Sequence, residues 1–160
     1  MHSFLKTLLV GTVLAIGGVA VAAAADPTDP VVGNWKLDVA KSKFSPGPAP
    51  KSQTRAYKAT ADGIDMTYTG VAADGSAVNG KSTFKYDGKD YPITGSADFD
   101  VLSLKRIDAT TIESTQKKAG KVVGTTIRSV SGDGKVMTLK SKGTSAKGQA
   151  YDNVMVFDKQ

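Results

Sequence analysis

"VVGNWKLDVAKSKF", residues 31–44, decides how the fold is read. It carries Trp35, the only tryptophan in the chain, two residues after Gly33 on a strand-like run. A charged, proline-rich segment follows at once. A large aromatic in that place is either an ordinary core residue or the plug at the closed end of a barrel. The choice depends on what the remaining chain forms.

Beyond "SPGPAP" no helical period is present. Short runs rich in Val, Ile, Thr, Tyr and Phe fit a pleated surface, and they alternate with tight turns. Four turns contain Asp-Gly, at 59–65, 72–76, 86–90 and 131–135. That pair suits positive φ and is the strongest short hairpin signal. Ten strands are expected, near 31–37, 53–60, 64–71, 77–86, 89–94, 98–106, 111–118, 121–131, 135–143 and 148–158. Connections this short make sequence neighbours into antiparallel spatial neighbours. An open meander exposes two edges, and closure removes them. The expected fold is all-β, an up-and-down antiparallel meander closed into a barrel of 8–10 strands, with an open sandwich as second choice.

The one long connection is 38–50, "DVAKSKFSPGPAP". Its first half allows a turn of helix, and its prolines make a stiff, extended second half. It either covers one end of a barrel or only joins two strands. Elsewhere the strands alternate imperfectly. Tyr151, Asn153, Met155 and Phe157 share one face of the last strand. In the sixth, Phe99, Val101 and Ser103 oppose Asp98, Asp100, Leu102 and Leu104. In the third, Ile64, Met66 and Tyr68 share a face. Polar residues occur on both faces, a mixture that a barrel enclosing a cavity tolerates.

Residues 1–25 read as a secretory leader: one lysine in "MHSFLK", an apolar run, then Ala-x-Ala cleavage sites after Ala22, Ala24 or Ala25. The mature chain of about 135 residues fits one domain, 26–160. Loss of Lys6 leaves 20 basic against 15 acidic residues, so the net charge of +6 falls to +5. The tightest basic group, Lys117, Lys118 and Lys121, surrounds a turn. Without a basic helix or a nucleic-acid motif, no nucleic-acid partner is expected.

His2 is the only histidine, it lies in the leader, and the chain has no cysteine. Ser-His-Asp and Cys-His catalysis, imidazole or thiolate zinc sites and disulfides are thereby excluded from the mature chain. Asp98 and Asp100 on one strand face would stand about 7 Å apart at the backbone. Carboxylates so spaced can run glycoside hydrolysis, but both follow a turn, where acids are usually solvated. Glu113, the sole glutamate, reads the same way. No enzyme activity, metal or cofactor is expected.

The Gly33-x-Trp35 start, the ten-strand meander and the ending "NVMVFDK", 153–159, resemble the calycin superfamily, which includes lipocalins and fatty-acid-binding proteins. "GNWKL" is especially similar to the start of intracellular fatty-acid-binding proteins. Over its mature length the chain looks like small secreted bacterial lipocalin-like proteins of unassigned function. The resemblance implies that Gly33 and Trp35 are structural, with Trp35 across the closed base of a lipocalin-like barrel. It also implies a basic side chain over the ring, from Arg106, Arg128 or Lys159, a contact of about 0.5 to 2 kcal/mol. In fatty-acid-binding proteins an Arg and a Tyr two apart on the last strand hold the ligand carboxylate, with an Arg two strands earlier. The matching last-strand positions here are Met155 and Phe157, so that pair is missing. Arg128 sits near the third position, though the turn after it is one residue longer. This favours a more neutral lipophile. Residues 38–50 are too short for a helix-turn-helix lid. Avidins share Gly-x-Trp, but their biotin sites need several tryptophans.

The function expected is that of a secreted or periplasmic protein that binds a small apolar or amphipathic molecule in its barrel, with no membrane contact once the leader is removed. Calycin cavities are apolar with a few placed polar groups. The candidate wall is Tyr68, Phe84, Phe99, Leu102, Tyr151, Met155 and Phe157, with Arg128 and Arg55 as polar contacts. The alternative is a protein-binding or inhibitory module acting through its surface, with loops 38–50 and 72–76 and no small ligand.

Overall fold

The computed structural model describes residues 24–160. Residues 1–23 of the expected leader lie outside the described residues. The ten strands are β1 (Gly33–Lys43), β2 (Ser52–Thr60), β3 (Gly63–Val71), β4 (Ala77–Phe84), β5 (Asp87–Pro92), β6 (Val101–Arg106), β7 (Thr111–Lys118), β8 (Lys121–Val130), β9 (Val136–Thr144) and β10 (Ala150–Lys159). They form one sheet in the order β4-β3-β2-β1-β10-β9-β8-β7-β6-β5, antiparallel at every ladder. Consecutive strands are therefore neighbours except at one seam. There β4 and β5 meet through a single bridge, Lys81 to Thr94, and the Ser82 hydroxyl donates to the Pro92 carbonyl at 2.8 Å. The sheet is an up-and-down barrel, nearly closed, and its two exposed edges face each other.

Two strand boundaries differ from expectation by three residues or more. β1 runs on to Lys43 rather than ending near 37, so no helical turn forms at 38–44. The edge of β10 needs a partner for its backbone groups, and β1 supplies one by bulging between Asp38 and Lys43. Inside the bulge the Ser42 hydroxyl donates to the Asp38 carbonyl at 2.6 Å and accepts the Val156 N–H at 2.9 Å, replacing a ladder bond. β6 starts at Val101, not 98, which leaves Asp98 and Asp100 in a loop and undoes their shared strand face. Asp98 Oδ1 accepts the Ala146 N–H at 2.8 Å, and Asp100 Oδ2 accepts the Ala119 N–H at 3.2 Å. Each carboxylate ties its loop to a different neighbour. Glu113 faces solvent on β7.

The closed end holds the core. Trp35, Phe84, Phe157, Ile64, Met137 and Val31 are the largest fully buried side chains. Residues preceding β1 cross this end. The Ala25 N–H bonds the Thr60 carbonyl at 3.0 Å, and Val31 accepts the Trp35 indole N–H at 2.7 Å. Trp35 thus plugs the barrel and keeps its one polar atom satisfied. The cation over its ring is Lys159, with Nζ 5.1 Å from the centroid, rather than Arg106 or Arg128. Gly33 makes this possible. Its φ is +134°, and a Cβ there would come 2.7 Å from the Lys159 Cε, in the path of the lysine stem.

Candidate ligand-binding cavity

Above the core the barrel encloses a cavity of about 350 Å³, inside the range of about 300 to 1,000 Å³ common for ligand pockets. Strand register sorts its wall into layers. On β7, β8, β9 and β10 the layer above the floor is Ile112, Arg128, Leu139 and Met155. The next is Ser114, Thr126, Ser141 and Asn153, and the highest is Gln116, Gly124, Gly143 and Tyr151. This half becomes polar toward the mouth. The other half carries an apolar patch, Met66, Phe84, Ile93, Phe99, Leu102 and Leu104, bordered by Arg55, Tyr57 and Asp98. The two halves face each other across the cavity.

Eight of the nine residues read from the sequence as wall or polar contacts line this space: Arg128, Arg55, Tyr68, Phe84, Phe99, Leu102, Tyr151 and Met155. Phe157 does not. It shares the inward face of β10 but lies one layer deeper, opposite Met137 and Leu37, and is 0% exposed. Phe99 and Leu102 could not both face inward on one regular strand, because alternate residues point oppositely. The loop that ends at Asp100 lets Phe99 turn in while Leu102 does so from β6. That loop also contributes Ile93, Ser96 and Asp98 to the wall. No residue of 38–50 is among the lining residues, though the Ser45 N–H donates to the Oδ1 of Asn153, which is.

Two arginines line the cavity, Arg128 buried and Arg55 part-buried. Arg128 is 6% exposed. Its Nη2 donates to the Tyr86 hydroxyl at 2.7 Å, and its guanidinium carbon lies 5.3 Å from the centre of the Tyr57 ring. Arg55 lies against Tyr68 and Phe157, at 5.3 and 5.4 Å, and its Nε donates to Gln53 Oε1 at 3.0 Å. Tyr57, two residues on, shares its strand face. Burial pushes the Tyr57 hydroxyl up, but the two guanidinium charges outweigh it and hold its pKa below the ordinary tyrosine value. Burial likewise opposes the charge on Arg128. Tyr86, Tyr57 and the more distant Asp29 carboxylate more than offset that, so the arginine stays protonated.

Arg106, by contrast, lies below the cavity, stacked on Tyr86 at 4.5 Å and paired with the buried Asp29 carboxylate. Among the described residues neither Arg55 nor Arg128 makes an ion pair. The cavity therefore holds two cations and a polarised hydroxyl, with no carboxylate paired to either cation. Its one carboxylate, Asp98, is engaged with the Ala146 backbone. Sequence reading passed over Tyr57. Its signal was the Arg55-Ala56-Tyr57 spacing, which places an arginine and a tyrosine on one strand face.

A scan against protein-family models gives no match, and a search of curated proteins gives none either. Among solved structures the chain is similar to zebrafish ileal bile acid-binding protein, solved in complex with cholic acid. The TM-score is 0.49 with 14% sequence identity, over 82% of this chain and 99% of that one.

Proposed function

We propose that the protein binds a small amphipathic acid inside its barrel. The apolar body lies against the wall formed by β3, β4 and β6, and the anionic head meets Arg55, Tyr57 and Arg128. The observation that carries this reading is the pair of cavity arginines without a carboxylate partner. A buried charge lacking a counter-charge is costly. An anionic head would supply that charge and form the short, charge-assisted hydrogen bonds guanidinium groups favour. Met155 and Phe157 alone would favour a neutral lipophile. Arg55 and Tyr57 on β2 reverse that preference, because they provide an Arg and a Tyr two apart on another strand.

Export belongs to the same proposal. The leader-like segment 1–25 and the resemblance to small secreted bacterial lipocalin-like proteins support a periplasmic or extracellular site of action. N-terminal sequencing of the protein from an extracytoplasmic fraction tests it. A chain that still begins at Met1 in the cytoplasm counts against it.

The binding test is native mass spectrometry of the protein purified from an expressing cell, followed by organic extraction. The expected result is a stoichiometric amphipathic acid. A protein that emerges empty and also fails to bind a panel of fluorescent fatty-acid analogues would overturn the reading. It would leave the surface-acting alternative.

A further inference from the structure

Gln116 sits high on the polar half of the cavity and is 6% exposed. Its Nε2 donates to Thr126 Oγ1 at 2.6 Å, and Thr126 Oγ1 is joined to Ser141 Oγ at 2.7 Å. Its Oε1 has no hydrogen-bond partner, the one such buried side-chain atom among the described residues. Buried acceptors are nearly always satisfied, and one left bare carries most of its desolvation cost. The local sequence holds this oxygen in place. Gly124 faces Gln116 across the ladder, and a Cβ there would come within 2.7 Å of both Oε1 and the Tyr151 hydroxyl. On the other side Gln116 pairs with Leu102, which offers no donor.

We infer that the ligand carries a hydroxyl group that donates to Gln116 Oε1, so the bound class is a hydroxylated amphipathic acid rather than a plain one. This rests on the acid-binding reading above and adds a second polar contact to it. Gly124 lies four residues from Arg128 on β8, about 13 Å along the strand. The reach of the arginine shortens that span. The hydroxyl therefore belongs in the middle of the ligand, away from the head. The rest of the body stays against the apolar half, so the ligand is polar along one side.

The test is calorimetric titration of the protein with dodecanoate and with a positional series of monohydroxydodecanoates. At least one mid-chain isomer should bind about ten-fold tighter than dodecanoate, since the plain acid expels water from Gln116 without replacing its hydrogen bond. Gln116→Leu should abolish that preference, and dodecanoate, which no longer strips water from a buried acceptor, should bind at least as tightly as it does to the wild type. Equal affinities across the series in the wild type overturn this inference and leave the acid-binding reading intact. So does a preference that survives Gln116→Leu. No binding of any acid overturns both. The wild-type series decides without any variant having to fold.

Discussion

The closed end and the cavity of this barrel treat polar groups in opposite ways. At the closed end each buried polar atom has a partner. The Trp35 indole meets Val31, Asp29 meets Arg106 and the Val31 N–H, and Lys159 covers the indole ring. A few layers higher, Arg55 and Arg128 have no carboxylate and Gln116 Oε1 has no donor. The same sheet, with the same alternation, is finished at one end and left open to a further partner at the other. Unsatisfied groups cost stability. Their concentration around a 350 Å³ space is the feature on which the proposed binding function rests.

That contrast can be broken most forcefully at the closed end. Trp35→Ala removes a side chain with 0% exposure and should destabilise the protein by about 3 to 5 kcal/mol, read from denaturant unfolding. Arg128→Met should behave differently. Removing a buried charge that has no carboxylate partner should leave stability unchanged or raise it by about 1 kcal/mol. Affinity for an acid ligand should fall by about 2 kcal/mol, the scale of a hydrogen bond to a charged group. An Arg128→Met protein that is strongly destabilised yet binds the acid as tightly as the wild type would erase the distinction between the two ends.

A pH titration sharpens the contrast. The Arg55 and Arg128 charges hold the Tyr57 hydroxyl below the ordinary tyrosine pKa despite burial. Deprotonation puts a negative phenolate where the ligand head belongs. Acid affinity should therefore decline as pH rises toward 10, starting where a free tyrosine is still protonated, while the arginines stay charged. Tyr57→Phe should flatten that decline, and an unchanged decline in the variant would remove Tyr57 from the head site. The smallest effect is expected at the mouth. Asp98→Ala frees the loop from the Ala146 N–H and should cost about 1 kcal/mol or less in stability, while speeding ligand dissociation in stopped-flow experiments.

Much of this architecture was legible in local sequence. Asp-Gly turns and β-rich runs place all ten strands, and Gly-x-Trp points to the plug. What escaped depends on long-range register. Residues 38–43 look like a linker because nothing local says that the edge of β10 must be covered. Met155 and Phe157 share one face, yet only the layer order puts the first on the wall and the second beneath it. Alternation along β2 hides that Arg55 and Tyr57 converge with Arg128 from across the barrel. Gln116 in "TIESTQKK" becomes conspicuous only when its neighbours leave one of its atoms without a partner.

The most direct measurement compares dodecanoate with dodecanol, ligands that share a chain and differ in head charge, by calorimetry on the wild type and on the Arg55→Met, Arg128→Met double variant. If the two arginines make this a cavity for acids, the wild type binds the acid at least about ten-fold more tightly than the alcohol, and the double variant binds both alike. Equal affinities in the wild type, or an acid preference that persists without the arginines, would contradict the account.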